Sequence, residues 1–334
     1  NGDTEALRAG RIYIYLVVLG EVLLFTALVM LYSMTDSLHL SRVAHAPANE
    51  IVFALVLLGF GIKAGALPLH VWLPLAHPAA PTPASAVLSG AMIKAGLLGW
   101  IRFLPLGQVT SPEWGGLCMV AGVFAAFFGV IVGIFQTNPK TVLAYSSISQ
   151  MGLMTVGIGA GFSSPAVWPL ASAAVITYAL HHAFAKGALF LGVGVAAATK
   201  GGRQQRWWLA LGLGLPALAL AGAPLTTGLV AKTALKLAIA PLPGPWSGYL
   251  ALLLPLAAVG TTLLMIRFFV TVWPDRFTSS QGSLGLRLPW TVMVFFVALG
   301  AWLLPEAQGS IGKALSLNAL APALWPVAAG ILLA

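Results

Sequence analysis

The chain has 334 residues, of which 7% are charged and 59% hydrophobic, with a mean hydropathy of +0.94 and a net charge of +9. Soluble domains carry about 25% charged residues, so this composition excludes a water-soluble globular domain and indicates an all-α, polytopic transmembrane helix bundle. The basic residues fall largely in short loops, where lysine and arginine set orientation, so the charge is a topology signal and does not call for a nucleic-acid partner.

A spanning helix needs roughly 20 apolar residues. Apolar windows predict about nine spans: 12–34, 51–69 with a broken continuation to 80, 84–104, 115–136, 141–161, 166–198, 208–239, 248–272 and 288–304. The apolar end, 319–334, is short for a span. Residues 1–334 are read as one transmembrane domain without a cleavable signal peptide. The chain begins at Asn1 and enters an apolar segment within about a dozen residues, which leads us to expect that helices of a longer protein precede it. If each segment crosses once, Arg8, Arg11, Lys140, Lys200, Arg203, Arg206, Arg276 and Arg287 share one side, and Arg42, Arg102 and Lys313 the other. The richer side, with the chain start, is then expected to be cytoplasmic.

Glu21 lies in the middle of the first span, where an unpaired carboxylate is costly. It can pair with a buried lysine or face a neighbouring subunit. The second span ends in Lys63-Ala-Gly-Ala-Leu-Pro-Leu-His-Val-Trp-Leu-Pro, then His77-Pro-Ala-Ala-Pro-Thr-Pro, a proline-broken stretch containing His70. The next span carries Lys94. A lysine at the centre of a membrane helix costs roughly 2.5–3.5 kcal/mol even on the lenient insertion scale. Snorkelling of the ammonium to the headgroups suits Lys200 and Lys236, but suits Lys94 and Lys186 poorly, since apolar sequence flanks both. Tyr145, Ser146, Ser147, Ser149 and Gln150 open an otherwise apolar span, either to hold water or to bond between helices. The lone Cys118 reads as a buried bystander; it allows no intramolecular disulfide and no cysteine-based metal site.

Tyr178, His182, Lys186 and Phe190 recur every four residues and so share one helix face. A hydrogen-bonded core histidine is the ordinary reading of one His, but a lysine one turn away points to proton exchange. His181 points elsewhere and is a weaker candidate. In the segment 208–239, Pro224 and Lys232 echo the combination of Lys63 and Pro68. Proline-interrupted helices in corresponding halves mark the sites of inverted-repeat transporters.

These stretches resemble the antiporter-like subunits of respiratory complex I, Mrp-type sodium/proton antiporters and group 4 membrane-bound hydrogenases. Besides the Lys63–Pro83 stretch and Met92-Ile-Lys-Ala-Gly, the sequence Asn138-Pro-Lys-Thr-Val-Leu-Ala-Tyr-Ser-Ser-Ile-Ser-Gln-Met-Gly is similar to the family's "LKRLLAYSSISHMG". His182-Ala-Phe-Ala-Lys-Gly-Ala-Leu-Phe-Leu-Gly resembles "HAFFKALLFLGAG", and Ala223-Pro-Leu-Thr-Thr-Gly-Leu-Val-Ala-Lys resembles its second broken helix. "HPAAP" leans towards the hydrogenase and formate-hydrogenlyase branch. The resemblance implies about fourteen core helices with two inverted five-helix repeats, of which this chain lacks about the first five helices. It implies Lys63 and Lys232 as the broken-helix lysines, Lys94 as a lysine of some branches, and His182 with Lys186 as the connecting relay. The family's glutamate partner of the first lysine lies before this chain begins, and Glu21 does not align with it.

The expected proton-transfer residues are therefore Lys63, Lys94, His182, Lys186 and Lys232, with Glu21, His70, His181 and Tyr178 as accessories. The resemblance implies a bacterial or archaeal cytoplasmic membrane, other membrane subunits, lipid, and protons or Na+ as partners. No redox cofactor, metal or catalytic redox site is inferred in this chain, which leaves open membership of a proton-pumping oxidoreductase of the NADH-quinone or hydrogenase type. Three functions remain open at this point: a proton-translocating subunit, a sodium/proton antiporter subunit, and a structural membrane anchor.

Overall fold

The computed structural model describes residues 2–37, 39–43, 46–199, 203–273, 284–303 and 305–334; Lys200 and Arg276 lie outside them. The described residues are helical and contain no strand. The first half comprises α1 (Gly2–Thr35), the short α2 (Leu40–Val43), α3 (Glu50–Ala64), α4 (Trp72–Ala79), α5 (Thr82–Val87), α6 (Ile93–Phe103), α7 (Pro112–Gly133) and α8 (Pro139–Ser163). The second comprises α9 (Trp168–Ala197), α10 (Arg203–Ala221), α11 (Thr227–Ile239), α12 (Trp246–Val272), α13 (Leu284–Leu299), α14 (Pro305–Ala314) and α15 (Leu317–Leu332). A π turn, Leu88–Met92, joins α5 to α6. Five described helical stretches are individually long and apolar enough to cross a membrane: Thr4–Thr35, Thr82–Phe103, Pro112–Gly133, Pro165–Ala197 and Trp246–Val272. The pair Gln308–Ala314 and Leu317–Leu332, bent by 75°, is a sixth candidate, so the apolar end is a bent helix pair.

Two spans are broken. At the first break, Gly65 adopts φ 67°, the left-handed region that glycine enters without a Cβ penalty. Its N–H reaches Ile62 O, and Ala66 N–H reaches Gly61 O at 2.9 Å, closing α3 as a Schellman turn. Trp72 Nε1 donates to Ile62 O at 2.8 Å and ties the start of α4 back to the end of α3. At the second break, Gly222 has φ 84° and Thr226 caps α11 through Leu229 N–H, with Pro224 between them.

From Val142 to Ser163, α8 is buried at every position but Tyr145, so it forms the central post of the bundle. It packs against α7 through small residues at seven-residue spacing. A Cβ on Gly122 would lie 2.5 Å from Gly152 O, and one on Gly159 would lie 2.7 Å from Gly115 O. Side chains are absent at these crossings because backbone approach, not hydrophobic transfer, holds helices together in lipid.

Contacts sort the helix termini to two ends of the bundle. At one end, Trp114 Nε1 donates to Glu50 Oε2, Ser111 N–H donates to Phe162 O, and Gly107 packs on Trp168. At the other, Lys140 Nζ donates to Ala80 O, Arg267 Nε donates to Gln136 O, and Gly194 packs between Thr82 and Leu286. We call these the Trp114 end and the Lys140 end.

Candidate proton-transfer site

Four of the nine candidate residues lie on α9, which runs from the Trp114 end to the Lys140 end. Tyr178, His182, Lys186 and Phe190 are all buried on its inward face. His182 sits near the middle of the helix, and Lys186 lies one turn, about 6 Å, closer to the Lys140 end.

Lys186 is completely buried, and its ammonium donates to Leu143 O on α8 at 2.8 Å. That carbonyl also accepts the Ser147 hydroxyl at 3.0 Å. Ser147 is in turn bonded to Ser89 at 2.8 Å, inside the π turn. The wider π-turn spacing leaves Ser89 O open to a side chain, and Lys94 Nζ donates to it. Lys94 and Lys186 are thus linked through two serines and the carbonyls of Ser89 and Leu143. Neither ring nitrogen of His182, fully buried, has a hydrogen-bond partner.

His181 faces α11. The Thr227 hydroxyl donates to Val297 O at 2.9 Å, so it accepts from His181 Nδ1, also at 2.9 Å. This places the imidazole proton on Nδ1 and leaves Nε2 as the open nitrogen. Lys232, five residues further along α11, donates to Ala221 O at 2.7 Å. Ala221 ends α10, where carbonyls have no helical partner and the helix dipole is negative. The break therefore supplies the acceptor that holds this amine. Lys232 also borders a cavity of about 570 Å³, lined in part by Tyr178, Lys236, Lys313 and Asn318. The Tyr178 hydroxyl donates to Gln150 Oε1 at 2.8 Å, while Gln150 Nε2 donates to Thr261 Oγ1 at 3.0 Å. Most of the polar cluster at the start of α8 thus bonds between helices. Ser149 does so through Ala126 O, whereas the buried Ser146 hydroxyl has no partner.

Lys63 stands apart from this group. Its ammonium meets Glu21 Oε1 on α1 at 2.6 Å. Of the two roles open to Glu21, the structure shows the lysine pair, with the carboxylate side still 57% exposed on the outer face of α1. His70 packs edge-on against Phe128 on α7, and its Nδ1 is unpartnered. Cys118 is buried and unpaired, and Lys236 is exposed.

Two features of this region lie outside the expected site residues, the buried His77 and the π turn at Leu88–Met92. A detectable signal existed for His77. The N–H that would bond its carbonyl within a helix belongs to position 81, which is proline, so that carbonyl needs another donor. Ser85 Oγ provides it at 3.0 Å.

A family model described as NADH:quinone oxidoreductase/Mrp antiporter, TM, matches residues 1–255. Hydrogenase-4 component B of Escherichia coli is 33% identical over 204 residues, covering 58% of this chain and 30% of that protein. Formate hydrogenlyase subunit 3 of the same organism is 30% identical over 241 residues, covering 70% of this chain and 39% of that protein. A chain of the Mrp complex of Dietzia sp. DQ12-45-1b superposes with a TM-score of 0.77 at 25% identity, covering 97% of this chain and 39% of that one. The chain thus spans between about a third and two fifths of the length of these relatives.

Proposed function

The chain belongs to the NADH:quinone oxidoreductase/Mrp antiporter transmembrane family, and we propose that it translocates protons across a membrane through buried lysine and histidine side chains. The observation that carries this reading is the stripe on α9. His182 and Lys186 are fully buried, with Lys94 beside them and Lys232 across the α9–α11 contact. A merely structural anchor has no use for the fully buried Lys186 amine, because taking it out of water costs several kcal/mol. An amine can release its proton where burial disfavours the charged form.

In this reading a proton held on Lys186 passes through His182 and His181 to Lys232. The cavity beside Lys232 gives it access to water. The Lys63–Glu21 pair is a second station on the α1 side. Redox-driven or ion-exchange membrane subunits are the partners this function requires, and the relatives carry names from both kinds of system.

The test uses the assembled complex in sealed vesicles with a pH-sensitive dye. Lys232→Ala should abolish proton translocation while leaving assembly near normal. Lys232→Arg should fail as well, because a guanidinium does not release its proton at accessible pH. Lys63→Ala should behave like Lys232→Ala. Wild-type translocation in all three variants would remove the relay. Translocation that responds to Na+ in the same vesicles would favour sodium/proton exchange.

A further inference from the structure

We infer that His77 is a further proton-carrying group, the inlet that joins the Lys140 end of the bundle to Lys186. The inference rests on the proton-translocation reading and adds to it the route by which protons reach the buried stripe.

Four observations place His77 on that route. Its side chain is completely buried. Neither Nδ1 nor Nε2 has a hydrogen-bond partner. A buried imidazole carries one donor and one acceptor that ordinarily must be matched, so both nitrogens are open to a mobile partner, and in this setting that partner is water with the proton it carries. The ring is stacked flat on Phe190, with centroids 4.3 Å apart and planes at 17°. Phe190 is one helical turn beyond Lys186 on the same face of α9, so the imidazole extends the stripe Tyr178, His182, Lys186 by one more protonatable group.

The surroundings on the other side lead outward. His77 lies near the end of α4, three residues before Ala80, whose carbonyl accepts from Lys140 Nζ at 2.6 Å. Lys140 is partly exposed, and Asn138, which caps α8 beside it, is exposed. The charged groups that act on His77 are Lys186 from α9, Lys140 from α8 and Lys94 from α6. The Ser85 hydroxyl donates to the His77 carbonyl at 3.0 Å and ties the backbone at this position to α5.

A packing role and a proton-carrying role make different demands on this position, and two substitutions separate them. His77→Phe keeps a flat ring against Phe190 but has no nitrogen. His77→Gln keeps hydrogen-bonding groups but cannot take up a proton. In the assembled complex in sealed vesicles, both should slow translocation by roughly 10²-fold, the lower end of what a positioned proton-transfer group contributes. Both should also change the pH profile of the remaining rate. Wild-type rate and profile in His77→Phe would overturn the inlet. A slow His77→Phe beside a normal His77→Gln would overturn it too, since the site would then need only a hydrogen-bonding group. If His77→Phe does not assemble, His77→Gln decides alone by the same two readouts. Lys186→Ala is measured in parallel. If it pumps normally, the relay itself fails; if it stops while both His77 variants run at the wild-type rate, only the inlet fails.

Discussion

Lys186 and His182 are fully buried at the centre of the proposed relay, and their surroundings separate function from stability. The Lys186 ammonium has one carbonyl and a nearby serine to set against complete burial. Replacing a buried ion pair by apolar side chains of similar volume is often neutral or stabilising, by up to ~4 kcal/mol, and a lone buried ammonium bears the same desolvation cost without the attraction of a counter-ion. Lys186→Met should therefore melt at the wild-type temperature or above it while losing proton translocation. A variant that is both unstable and inactive would make Lys186 a structural residue. His182 differs, because its two nitrogens have no partner to lose. His182→Ala should lower the translocation rate and shift its pH dependence without changing which side is acidified. An unchanged pH–rate profile would return His182 to the role of an ordinary core histidine. The α9 stripe was legible in the sequence because four-residue spacing is a local property. The pairing of Glu21 with Lys63 was not, because it depends on how α1 lies across α3, and nothing in either segment alone sets that.

The second broken helix shows how an element makes a site. A Cβ on Gly228 would lie 1.6 Å from Ala219 O and 2.7 Å from its carbonyl carbon. The first turn of α11 therefore rests directly on the last turn of α10. That contact sets both the Thr227–His181 bond and the reach of Lys232 to Ala221 O. In an exposed helix, Gly→Ala gains about 1 kcal/mol from propensity. Here the obstacle is backbone, and overpacking costs typically ~1–3 kcal/mol even where side chains can move. The steric effect wins. Gly228→Ala should sharply reduce the amount of assembled protein. Gly214→Ala, on the same broken helix with open space around the new methyl, should be neutral or gain up to ~1 kcal/mol. Equal thermal stability of the two variants would show that the α10–α11 contact is not what holds the break. The breaks themselves were legible because Pro68 and Pro224 remove backbone donors. The π turn at Leu88–Met92 was not, since its residues favour an ordinary helix and only the packed bundle selects the wider turn.

At the scale of the whole molecule, the two ends of the bundle differ in charge. The Lys140 end carries Lys140, Arg203, Arg206, Arg267 and Arg287 near the starts or ends of α8, α10, α12 and α13. The Trp114 end carries Arg42 and Arg102 together with Glu50 and Glu113. Arg267 sharpens a bias already visible in the loops, because its guanidinium reaches Gln136 O at the end of α7. Short loops rich in lysine and arginine stay cytoplasmic, so the Lys140 end should face the cytoplasm, although Lys200 and Arg276 lie outside the described residues. Protons would then enter beside Lys140 and leave through the cavity at Lys232. Single cysteines test this in a Cys118→Ala background, with Ser41→Cys and Gln204→Cys, both at exposed positions. A membrane-impermeant maleimide should label Ser41→Cys from the non-cytoplasmic side of intact cells, and Gln204→Cys only in inverted vesicles. Labelling of both from one side would mean that the number of crossings between α1 and α10 is off by one. Labelling with the sides exchanged would keep the count but reverse the direction of transport, making the Lys232 cavity the entry for protons and the Lys140 end their exit.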